Sequence, residues 1–140
     1  MQLTFFIILV VQVCTLVTCS SESVAKFHAI LIIGDSTVDT GNNKYISTTA
    51  KANYRPHGLD FPGQIPTGRF SNGKLVPDIL ASVLGIKEAV PPFLQTNLLD
   101  DELRTGVSFA SAGAGFVDLT SATLGIIPVS KQPGYFKTFT

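Results

Sequence analysis

The run FHAILIIGDS, residues 27–36, most constrains what this chain can fold into. Its apolar residues follow one another almost without a break and stop at Gly34. A nearly continuous run of this length, rather than an alternating one, fits a strand buried on both faces of a parallel α/β sheet. The glycine then ends the strand and delivers Asp35, Ser36 and Asp39 within six positions. A turn that follows a buried strand is a good place to present a reactive side chain.

The rest of the chain supplies the other parts of an α/β beginning. Residues 41–70 are rich in Gly, Asn, Pro and aromatic residues and hold no sustained period. They read as a long loop, a kind usually functional or held by its own side chains. In SNGKLVPDILASVLG, Leu75, Val76, Ile79, Leu80, Val83 and Leu84 recur at helical spacing as one apolar stripe. Ser71 or Asn72 can cap that helix, Pro77 falls early enough to be tolerated, and Gly85 can end it. VPPFLQ is extended, because each residue before a proline is pushed out of the α region. DDELRTG reads as a charged short helix or turn. Val107 to Ala110 reads as a second short strand running into a glycine-rich turn, and IIPVSKQPGYFKTFT begins another element.

Mean hydropathy is +0.35, but the excess is local. Phe5 to Val17 is apolar apart from Gln12 and Thr15, and no charged side chain appears before Glu22. Residues 1–19 therefore read as a secretory signal, too short for a spanning helix. Val17 and Cys19 suit the −3 and −1 positions of a cleavage site. An uncleaved anchor is the alternative. Both cysteines, Cys14 and Cys19, lie in this segment. A mature chain starting at Ser20 would carry neither a disulfide nor a thiolate metal site. Ten basic residues balance ten acidic ones, which gives no footprint for nucleic acid.

A serine hydroxyl is a poor nucleophile unless a base lies within hydrogen-bond reach and donors await the oxyanion. GDS alone does not supply these, and as three letters it describes a capped turn equally well. The wider context adds more. GDSTVDTGNN at 34–43, DFPGQIPTGRFSNGKLVPDILASVLGI at 60–86, TGVSFASAGAGF at 105–116 and IPVSKQPGYFK at 127–137 stand in one order. Together they resemble the plant GDSL esterase/lipase family, within the SGNH hydrolases.

The resemblance implies an α/β, flavodoxin-like three-layer SGNH hydrolase fold, present here as an N-terminal fragment with an incomplete sheet. Residues 20–140 would be the N-terminal portion of that domain. It implies hydrolysis of carboxylic esters through an acyl-enzyme, with Ser36 as nucleophile and its own N–H as one oxyanion donor. Gly113 matches the glycine that gives the second donor, with Gly115 the close alternative. Asp35, Asp39, Asn42 and Asn43 become loop organisers. The asparagine of a later GxND block and the His and Asp of a DxxH block are absent from these 140 residues. Neither His28 nor His57 has the DxxH context. No metal and no organic cofactor are implied. The expected partner is a small-molecule or lipid ester, and the expected location is extracellular, in the apoplast or cell wall.

Two other motifs compete for parts of this sequence. VDTG at 38–41 occurs around the aspartic-protease carboxylate, but that chemistry needs two such groups. GRFSNGKL at 68–75 approaches a P-loop, but Leu75 replaces the hydroxyl residue and no buried strand precedes Gly68. Arg69 and Lys74 are then solvated or loop-anchoring. The alternative function is a truncated, non-catalytic secreted product or binding module. An incomplete sheet would leave apolar faces open, with exposure expected at Leu75, Ile79, Val83 and Phe109.

Overall fold

A computed structural model describes residues 26–139, and the side chains of 26–138. The signal segment read at residues 1–19 lies outside the described residues. Helices α1 (Val76–Val83), α2 (Asp100–Arg104), α3 (Asp118–Leu124) and α4 (Gln132–Phe139) follow a 3-10 turn at Asn42–Tyr45. None of them is long and apolar enough to cross a membrane.

Among the described residues no segment reaches the length of a named strand. Pairing is limited to two parallel bridges, Ile32 with Ser108 and Pro92 with Ser108. They nevertheless define an order. The extended segment 107–111 lies between segments 30–34 and 91–93. Ile32 N–H donates to Val107 O at 3.1 Å, and Phe109 N–H to Ile32 O at 2.8 Å. On the other edge, Ser108 N–H donates to Pro91 O and Phe93 N–H to Ser108 O. Pro91 and Pro92 have no N–H of their own, which keeps this outer pairing short.

The central position explains burial. Val107, Ser108, Phe109, Ala110, Ser111 and Ala112 are all buried. Phe109, expected at an open face, is only 1% exposed. It packs on Phe93 at 4.8 Å and meets Phe136 edge-on at 6.3 Å, so α4 covers it. The 30–34 segment also departs from expectation. It is paired on one edge only among the described residues, and Leu31 and Ile33 are 42% and 47% exposed. The run is thus not buried on both faces here.

Helix α1 starts three to four residues later than a Ser71 or Asn72 cap would place it. Ser71 Oγ is used within its own turn, accepting Gly73 N–H at 3.1 Å. Leu75 becomes the cap residue, and its N–H donates to the Asp78 carboxylate at 2.9 Å. Pro77 sits in the first turn, where its missing N–H costs nothing. At the other end Ile86 N–H closes back on Ala81 O at 2.9 Å across Gly85, whose φ is +66°.

The helix buries Pro77, Asp78 and Ala81, while its apolar stripe faces outward. Val76, Ile79, Leu80 and Val83 are exposed, Val83 at 78%; Leu75 is intermediate. Asp78 is held inward by Arg69. The guanidinium donates to both carboxylate oxygens, at 2.9 and 2.8 Å, and also to Thr40 O and Val90 O. It lies over the Phe61 ring at 4.6 Å. Of the two roles open to Arg69, the fold takes the anchoring one, and Lys74 pairs at the surface with Glu88. The long loop has a second anchor in Lys51, whose ammonium donates to the carbonyls of Asn43, Lys44 and Ile46.

Candidate active site

The 30–34 segment ends in a turn at Asp35–Val38, closed by Val38 N–H to Asp35 O at 3.2 Å. Ser36 sits in this turn and is partly exposed. Gly34 is needed at the residue before this turn, since a β-carbon there would approach Val38 Cγ2 to 2.6 Å. Asp35 Oδ1 accepts both the N–H and the hydroxyl of Thr37, at 2.9 and 2.8 Å. These bonds hold the Asp35 carboxyl below its ordinary value.

Asp39, Asn42 and Asn43 are all buried, and each spans two parts of the chain. Asp39 Oδ1 accepts Gly41 and Asn42 N–H at 2.8 and 2.7 Å, while Oδ2 accepts Ala112 N–H at 2.9 Å. Burial pushes this carboxyl above its ordinary value, against the pull of the backbone N–H groups around it. Asn42 donates to Ser108 O and Ala110 O and accepts Leu94 N–H. Asn43 donates to Ala50 O and Ala112 O and accepts the Ser111 hydroxyl at 2.5 Å. Asp39, Asn42, Asn43 and Ser111 thereby join the loop after the Ser36 turn to the backbone running into the glycine turn.

In that second turn Gly113 adopts φ +87°, where a β-carbon would come within 2.9 Å of Ile126 Cδ1. Gly115 has open space around it. A cleft of about 480 Å³ separates the two turns. Its walls include Ile33, Asp35, Thr37, Val38, Gly115 and Phe116. Both neighbours of Ser36 thus face the cleft, as does Gly115; Gly113 is not among its walls. Phe116 stands at 97% exposure on the opposite side.

The two histidines stand apart from this arrangement. His28 is exposed, and His57 packs between the rings of Tyr54 and Phe70 at 5.4 and 5.9 Å. Sequence reasoning passed over three buried polar groups, Asp78, Ser111 and Gln132. Asp78 stands three residues after its cap residue, a spacing that signals a helix start. Ser111 gives no such signal. Gln132 gives none either, although its side chain reaches Gly34 across 98 positions.

A serine turn and a glycine turn, with a cleft between them, are thus mounted on parallel-paired segments. The chain belongs to the GDSL-like lipase/acylhydrolase family, whose model matches residues 30–139. It is 50% identical to GDSL esterase/lipase At1g06990 of Arabidopsis thaliana, over 88% of this chain and 34% of that protein. It is 56% identical to GDSL esterase/lipase At1g58430 of the same plant, over 87% of this chain and 35% of that protein. With GDSL esterase/lipase At2g24560 it shares 51% identity over 97% of its length. The chain therefore spans about a third of the length of the curated relatives it matches. No solved structure matches it.

Proposed function

We propose that this chain forms the nucleophile half of a secreted plant serine esterase/lipase. Ser36 attacks the ester carbonyl, and the alcohol leaves as an acyl-enzyme forms. Water then releases the acid. The N–H of Ser36 and one from the 112–115 turn, Gly113 or alternatively Gly115, hold the oxyanion. Asp35, Asp39, Asn42 and Asn43 keep the two turns in register. A later Asn adds a third donor, and a later His with its Asp supplies the general base. The domain as a whole is the three-layer, flavodoxin-like sheet.

One observation carries this reading. The Asp39 carboxylate binds the loop after Ser36 with one oxygen and Ala112 N–H, next to Gly113, with the other. An oxyanion hole needs its donors fixed before the reaction, and this bridge fixes the two turns to each other. The test uses a form of the protein that carries the later blocks. Ser36→Ala is expected to abolish p-nitrophenyl ester turnover, and retained turnover would sink the assignment.

The outward apolar face of α1 favours a second reading, in which the 140 residues act without catalysis as a binding module. A longer reading frame found to carry the GxND and DxxH blocks would overturn this second reading.

A further inference from the structure

The ladder between segments 30–34 and 107–111 advances two residues at a time. Ile30 N–H donates to Thr105 O, and Ile32 N–H donates to Val107 O, each at 3.1 Å. In this register the next step would take Gly34 N–H to Phe109 O. At that step the Gly34 N–H donates instead to Oε1 of Gln132, at 2.8 Å. The same carboxamide returns a bond, since its Nε2 donates to Gly34 O at 2.9 Å. Gly34 O also receives Ser111 N–H at 3.2 Å, so the end of the segment is held from two sides.

We infer that Gln132 is a positioning residue for the nucleophile turn, fixing the peptide groups at Gly34 from which Ser36 is presented. The inference rests on the serine-esterase reading above. Gln132 is fully buried and is the first residue of α4. Its backbone is set by Gln132 N–H to Val129 O, and α4 is seated by Tyr135 on Phe93 and Phe136 on Phe109. The carboxamide is therefore rigidly mounted. It offers one acceptor and one donor to the two backbone groups of a single residue, two positions before the nucleophile. A backbone partner would have continued the strand. The side-chain amide takes the N–H instead, while Gly34 O keeps its rung from Ser111 N–H and the chain turns directly after it. Small errors in the placement of a reacting group are costly in rate, of the order of 10²-fold for about 1 Å.

The test again uses a form of the protein carrying the later blocks. Gln132→Met keeps the volume and removes both bonds to Gly34, together with the longer one from Nε2 to Ile127 O at 3.4 Å. Turnover is normalised to the sites that a fluorophosphonate labels, so that misfolded protein is not counted. The expected result is a kcat per labelled site lowered roughly 10- to 100-fold with KM changed little. A residue that only stabilised the fold would reduce the number of labelled sites and leave kcat per site alone, and that outcome overturns the inference. If Gln132→Met does not fold, Gln132→Glu in its ionised form keeps the acceptor for Gly34 N–H and loses the donor; its kcat per site should fall relative to the unmodified protein as pH rises, and a constant ratio counts against the inference. In the unmodified protein Gly34 N–H should exchange slowly with solvent, and fast exchange counts against the clamp whatever the variants do. Ser36→Ala run in parallel separates the two readings. Activity that survives it ends the esterase assignment. An inactive Ser36→Ala beside a Gln132→Met enzyme of normal kcat ends this inference alone.

Discussion

Asp39 illustrates how much depends on a single atom type. Its two oxygens accept three backbone N–H groups, so the site wants acceptors at both positions. Asp39→Asn preserves shape and turns one acceptor into a donor. That donor must then face either Ala112 N–H or the pair from Gly41 and Asn42. A buried N–H left without a partner costs about 1–3 kcal/mol. Urea unfolding of Asp39→Asn should show a loss in that range, and an unchanged midpoint would mean the bridge contributes nothing. The sequence made Asp39 visible through the GDSTVDTGNN motif. It could not show that the third N–H comes from Ala112, because the two are 73 positions apart and meet only when segment 107–111 is central.

At the scale of elements, α1 shows what periodicity does and does not fix. The spacing of apolar residues located a helix, and the structure has one over Val76–Val83. The exposure expected at Ile79 and Val83 is found as well, but the spacing did not say what the helix turns inward. The inner face is chosen by Asp78, which is held by the buried Arg69 and by the N–H groups of Leu75 and Val90. The guanidinium nitrogens and both carboxylate oxygens all have partners, so removing one member strands the other. Arg69→Met should destabilise the protein by about 3–5 kcal/mol, as expected for a buried charge deprived of its partner. Arg69→Lys should not restore it, because an ammonium cannot make the planar bidentate contact while also reaching Thr40 O and Val90 O. Thermal or urea unfolding checks both. A loss under about 1 kcal/mol for Arg69→Met would show that the helix is held by something else.

For the whole molecule, the relevant quantity is the apolar surface left in contact with water. Val76, Ile79, Leu80 and Val83 on α1, Leu31 and Ile33 on the edge segment, and Phe116 and Leu119 beyond the glycine turn are all exposed. Contiguous apolar patches drive association, and an unpaired segment edge adds a template for it. Residues 20–140 prepared alone should therefore self-associate in sedimentation velocity at micromolar concentration. Ile79→Glu with Val83→Glu should raise the monomer fraction. A monodisperse monomer from the unmodified chain would contradict this.

The sequence by itself determined the local grammar of this protein. A glycine-ended apolar run, a helical stripe with Pro near its start and Gly after its end, and ordered motifs at 34–43, 60–86 and 105–116 identified the family and the position of Ser36. These signals are legible because they are written in neighbouring residues. The tertiary structure alone decided that 107–111 is central and Phe109 buried, that Asp78 and Arg69 anchor the inner face of α1, and that Gln132 takes the N–H of Gly34. Each of these depends on which backbone groups are left without partners once segments far apart in the chain have paired. Local spacing carries no record of that, because a buried N–H must find an acceptor wherever the fold places one.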